Sequence, residues 1–185
     1  NKTIGNEFPY YISGLWADPS RSSRIKEFLE EDKKFCLEDM KALQLDLTSN
    51  YSKEILPAIL KNAGTYENPI FNRAIQFLND WNHVESIDSE GTLIFHSISN
   101  EIIRNIYYDE LSVLGDKYFE TYIGLKYITK RNLRRILKSH TNKWVDDIRT
   151  PNKNETIDEI ITKSIESGIR KVVAVSYTHL TLPTK

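Results

Sequence analysis

The feature that most constrains this chain is its longest regular pattern, from Ser89 to Leu111. There Leu93, Phe95, Ile98, Ile102 and Ile106 recur close to the three- and four-residue spacing that lines one face of a helix. A strand would bury every second residue, and this stretch does not alternate. The same period returns on both sides. A first helix is expected from about Ser20 to Asp32, capped by Asp18 or Ser20, with Pro19 in its first turn and Ile25, Phe28 and Leu29 as its apolar stripe. Met40, Leu43 and Leu47 mark a second helix beginning near Leu37. Tyr51 to Leu60 is interrupted by Pro57, which either kinks one long helix or begins a new turn. Asn68-Pro69 starts a helix carrying Ile70, Ala74, Phe77, Leu78 and Trp81. Gly115 breaks the long central helix, and residues 116–147 keep a helical pattern that includes Leu133, Ile136 and Leu137. After the polar loop at 150–154, Thr156 and Glu159 form a capping box before Ile160, Ile161 and Ile165. The expected fold is mostly α.

Composition sets the class. The 185 residues are 39% hydrophobic and 28% charged, which suits one globular domain or a large part of one. The formal net charge is −1, so no global field draws the chain to nucleic acid or to an anionic membrane. No apolar run reaches the roughly 20 residues of a membrane helix. Cys36 is the sole cysteine, which excludes an internal disulfide and a cysteine metal cluster. Asn1 opens the chain without an initiator Met or a signal-peptide pattern, so the true beginning is expected upstream. Residues 175–185, VSYTHLTLPTK, resemble the conceptual translation of a sequencing-library transposon adapter. They are set aside as a non-native tail, with a natural β-strand as the alternative. The expected organisation is therefore 1–174 as the helical part of something longer, followed by a tail at 175–185.

Few residues carry chemistry on their own. His83, His96, His140 and His179 do not sit at metal-ligand spacing, and His96 reads as a core histidine. Lys130 to Arg135 is a basic run in which Arg131, Arg134, Arg135 and Lys138 share one side of a helix. A solvated face is favoured there over a nucleic-acid patch. Asp146 and Asp147 point apart and read as surface or capping residues. Cys36 falls at a helix N-cap as a lone thiol without a base. That leaves Arg21 and Arg24, in the first turn of a helix whose N-terminus is already positive; each exposed charge there costs about 0.3–1 kcal/mol. Arg24 can pair with Glu27. Arg21 has no partner three or four residues on, and by itself reads as one half of a salt bridge to another segment.

Several stretches, in order, resemble the penicillin acylase (penicillin amidase) family of the N-terminal-nucleophile hydrolase superfamily. They are Asn1-Lys2 with Phe8-Pro9-Tyr10-Tyr11-Ile12-Ser13, then Trp16, and Arg21-Ser22-Ser23-Arg24-Ile25. Glu38-Asp39-Met40, Leu43-Gln44-Leu45-Asp46, Leu56-Pro57 and Leu78-Asn79-Asp80-Trp81 follow, with Asn82 where the family usually has Asp. The resemblance spans residues 1–171 and implies an internal fragment of the large β subunit. The parent would be an α+β, four-layer αββα sandwich to which these helices are appended. It implies an exported (periplasmic or extracellular) amidohydrolase, matured from a zymogen precursor that also supplies a small α subunit. Its substrate would be a small N-acylated molecule such as a penicillin or an acyl-homoserine lactone, with no nucleic acid and no membrane as partner. A self-exposed N-terminal serine, absent here, would form the acyl-enzyme, its α-amine acting as base and an Asn side chain holding the oxyanion. Arg21 matches an arginine beside that nucleophile, where a cation lowers an α-amine pKa from about 7.7–8.0. Asn1 matches the neighbour of the oxyanion Asn. Family members often bind calcium, but no acidic cluster here is assigned to it, and no cofactor is expected in the fragment. The alternative is a non-catalytic helical binding module using Trp16 and Tyr10-Tyr11.

Overall fold

A computed structural model of the chain describes residues 7–14, 16–139 and 142–181, with side chains to residue 175. Among the described residues there are eight α-helices and one 3-10 turn, with no strand beyond an isolated bridge. The helices are α1 (Ser20–Leu29), α2 (Leu37–Gln44), α3 (Asn50–Lys61), α4 (Pro69–Asp80), α5 (Glu90–Val113), α6 (Asp116–Gly124), α7 (Lys126–Ser139) and α8 (Ile157–Thr181). The turn covers Lys143–Val145.

Most helix starts are written locally. Ser49 Oγ accepts from Ser52 N–H at 3.2 Å, Asn68 Oδ1 from Ile70 N–H at 3.0 Å, and Ser89 Oγ from Thr92 N–H at 3.2 Å. Thr156 and Glu159 exchange the two bonds of a capping box. α1 stops at Leu29, short of Asp32, because Glu30, Glu31 and Asp32 would place three carboxylates at the negative end of the helix. Pro57 sits inside α3 without ending it. Both Pro57 and Lys53, whose carbonyl the proline cannot bond, face solvent, which lowers the cost of leaving that oxygen without a helix partner.

α5 is the central element, with α8, α4 and α6 packed along it. Phe95, Ile98, Ile102 and Ile106 are each 0% exposed, as their spacing requires. Leu93 is not inward as expected but exposed, because two residues before Phe95 on a helix is nearly the opposite face. α8 answers with buried Ile157, Ile160, Ile161, Ile165 and Ile169. The two helices run in opposite senses: Ser97 Oγ donates to the Gly168 carbonyl and Asn105 Nδ2 to Ser164 Oγ, both at 2.9 Å. α8 continues as helix through residues 175–181, so the strand alternative does not hold there.

One further contact organises the N-terminal half. Thr48 and Val84 form an antiparallel bridge, with Ser49 N–H donating to His83 O at 2.9 Å and Glu85 N–H to Leu47 O at 3.0 Å. His83 takes a positive φ of 63° in doing so. Trp81 lies over Phe95 at 5.4 Å between ring centroids and donates to Val84 O at 3.0 Å. The entry to α3 is thus clamped to the end of α4.

Candidate functional site

The first turn of α1 is held by Asp18, whose Oδ1 accepts from Ser20 N–H at 3.0 Å and from the Ser20 hydroxyl. The other Asp18 oxygen meets Arg134 Nη1 at 3.0 Å. Arg24 is tied down: its Nε donates to Asp46 at 2.7 Å, and it reaches Glu27 at 3.4 Å. The Asp46 bond raises the Arg24 pKa further. Burial pushes the Asp46 carboxyl up, but bonds from Thr48 and Arg24 outweigh it and hold the group below the ordinary range. Arg21 differs. It is exposed, and among the described residues it makes no hydrogen bond or ion pair, so the expected salt bridge to another segment is not formed.

Arg21 stands on the wall of a concavity of about 590 Å³ enclosed by α1, the α2–α3 junction and the start of α7. Lys126 and Lys130 line the same space, Lys130 with its ammonium 4.9 Å from the Tyr51 ring centroid. The acids lining it are already engaged: Asp18 by Arg134, Asp46 by Arg24, and Glu85 by His96 at 3.3 Å. Its free charge is therefore cationic.

The basic run is the expected solvated face only in part: Arg135 and Lys138 are exposed, whereas Arg131 and Arg134 turn to other segments. Arg134 is buried, pairing with Asp18 and, through Nε, with Glu54 at 2.8 Å. Its Nη2 reaches Ser20 Oγ at 3.2 Å, and Arg131 donates to the Trp16 carbonyl at 3.2 Å. Two arginines of α7 thus hold residues 16–20 and set where Arg21 stands. Burial of Arg134 follows from long-range partners that no local pattern displays.

The remaining residues settle as structure. His96 is one-third exposed and bonded to Glu85, not a core residue; its bond holds the Glu85 carboxyl down to about 2. His83 Nδ1 lies 2.9 Å from Ser52 Oγ, a pair the sequence does not hint at across 31 positions. Ser52 is 0% exposed and its hydroxyl also reaches the Ser49 carbonyl, so no substrate reaches it as a nucleophile. Asp147 grips Arg149 at 2.6 and 2.7 Å, which holds its carboxyl at about 2, and Asp146 accepts from Glu155 N–H at 3.2 Å. Both cap the 146–155 loop. The N–H of Cys36 donates to Asp39 at 2.8 Å at the start of α2. Among the described residues no group of three or more His, Cys, Asp or Glu side chains could hold a metal ion. Asn1, Lys2, His140 and the side chain of His179 lie outside the described residues.

A sequence model of the penicillin amidase family matches residues 1–181. The chain belongs to the penicillin amidase family. Membership covers nearly the whole chain and makes amide hydrolysis by an acylase the activity to be explained. No curated protein matches the chain. Within this penicillin amidase chain, α1 with Arg21, its restraints from α7, and the bridge at 48 and 84 form one connected unit facing the cationic concavity.

Proposed function

We propose that this chain forms part of the large subunit of an N-terminal-nucleophile acylase that cleaves the amide bond of small N-acylated molecules. One observation carries the reading of the site. Arg21 is the cation of α1 left without a counter-charge among the described residues, and it borders a concavity in a chain that matches the family almost end to end. A folded protein seldom keeps an uncompensated charge at the positive end of a helix without use for it.

In this reading the reaction centre is completed by a serine N-terminus and an oxyanion Asn outside the described residues, with a small α subunit cut from the same exported precursor. The serine hydroxyl attacks the amide carbonyl while its own α-amine takes the proton. The amine then protonates the leaving nitrogen, and water releases the acyl group by the reverse order of steps. Arg21 contributes electrostatics in two ways. Its charge disfavours the protonated α-amine, keeping the base available at neutral pH, and its N–H groups orient the amide that binds the oxyanion. Asp18 and Arg134 keep it in place without neutralising it, since each is already paired with the other.

The test is Arg21→Ala in the intact protein, with self-processing and far-UV circular dichroism as controls. Turnover of an N-acyl substrate is expected to fall about 10²–10³-fold, the scale for losing one preorganised oxyanion-side group. Correct processing with near-normal turnover would overturn the role.

A further inference from the structure

A second cavity, of about 470 Å³, lies on the opposite side of α7 from Arg21, between α5, α6, α7 and the 143–145 turn. Its walls are aromatic. Tyr107 meets Tyr122 at 4.7 Å and Trp144 at 5.3 Å between ring centroids, both tilted edge against face. Its polar groups are all donors or neutral amides and hydroxyls, with Arg135 as the single charge and no carboxylate among the lining residues. The concavity at Arg21, by contrast, is lined by Asp18, Asp46 and Glu85.

The donors converge. Burial, together with the neighbouring Tyr122 hydroxyl, pushes the Tyr107 phenol well above its ordinary range. Asn132 Nδ2 donates to the same Tyr122 oxygen at 3.0 Å. The Tyr122 oxygen thus accepts from Asn132 and keeps its own hydroxyl hydrogen to give. Arg135 makes no hydrogen bond or ion pair among the described residues either, yet its charge is felt at the Tyr107 hydroxyl. Glu110 also acts on Tyr107 but does not line the cavity, and burial, then its bond with Asp109, raises its carboxyl to about 7. A hydroxyl donor and an unpaired guanidinium beside tilted aromatic rings complement one chemistry.

We infer that this cavity binds a small aromatic carboxylate, its ring against Tyr107 and Trp144 and its carboxylate bonded to Arg135 and the Tyr122 hydroxyl. Binding is non-covalent. The inference does not rest on the amidase reading, because no residue of the cavity borders Arg21.

The experiment is calorimetric titration of the intact protein with 2-naphthoate, its neutral amide 2-naphthamide, and acetate. Saturable one-to-one binding of naphthoate is expected, about tenfold tighter than the amide because one charge-assisted bond is lost. Acetate, lacking the ring, should not bind measurably. Arg135→Gln, folded by circular dichroism, should remove the preference for the acid over the amide, and Arg135→Lys should restore part of it. Trp144→Leu should weaken both aromatic ligands, and Arg21→Ala should change nothing here. No saturable binding, a naphthoate affinity unmoved by Arg135→Gln, or one lost equally with Arg21→Ala would each overturn the assignment.

Discussion

Arg134 shows how far a residue's role can depart from its local setting. It sits in a run of four cations over six positions, yet its side chain is 9% exposed, like the Asp18 side chain it meets. Removing one member of a buried pair strands the other, which costs about 3–5 kcal/mol. Arg134→Ala should therefore lower the unfolding free energy by about 3 kcal/mol, and adding Asp18→Asn should recover part of the loss. Urea denaturation of the single and double variants measures both. Glu110 offers a pH test at the same scale. Burial, then the bond with Asp109 and the charge of Asp147, raise its carboxyl from the ordinary 4.5 to about 7. Between those values the native state keeps a proton that the unfolded chain gives up, so stability falls as pH rises through that window. Glu110→Gln should flatten the profile from pH 4.5 to 7 and leave the variant more stable than its parent at pH 8. A steeper or unchanged stability–pH curve would show that Glu110 does not hold that proton.

At the scale of elements, the fold depends on how closely α5 and α8 approach. A Cβ on Gly168 would stand 2.8 Å from Ile98 Cα and 2.9 Å from its nitrogen, both backbone atoms that cannot swing aside. Gly168→Ala should thus cost about 1–3 kcal/mol as the helices are forced apart. Gly64→Ala is the control: nothing lies within 4 Å of its added Cβ, and its effect should stay within about 0.5 kcal/mol. Thermal unfolding of the two variants side by side distinguishes a packing constraint from a general cost of replacing glycine. The helix starts, by comparison, were readable in advance. A Ser, Asn or Thr cap bonds an N–H two or three residues away, so cause and effect lie in the same stretch of chain. Leu93 is exposed although it follows the period, because the period alone does not say where the edge of a buried stripe falls.

For the whole molecule, α8 closes the core from the far end of the chain. Its buried residues run from Ile157 to Ile169, with Val172 and Val173 packed at the margin. Ending the chain after Ala174 should leave the urea midpoint within error of the parent, whereas ending it after Thr156 should abolish the cooperative transition. Circular dichroism against urea reads both outcomes. The sequence by itself determined the helical class, most helix starts and the central buried face of α5, since periods and caps are short-range and each residue reports on neighbours three or four positions away. It also placed the chain in its family, through motifs whose order survives in one dimension. Only the tertiary structure decided that Arg24 is neutralised by Asp46 while Arg21 has no ion pair among the described residues, that Arg134 is buried, and that Tyr107, Tyr122 and Trp144 face one cavity. Those facts rest on contacts between residues tens of positions apart. Coulomb and packing energies depend on distance in space, and no periodicity along the chain encodes it.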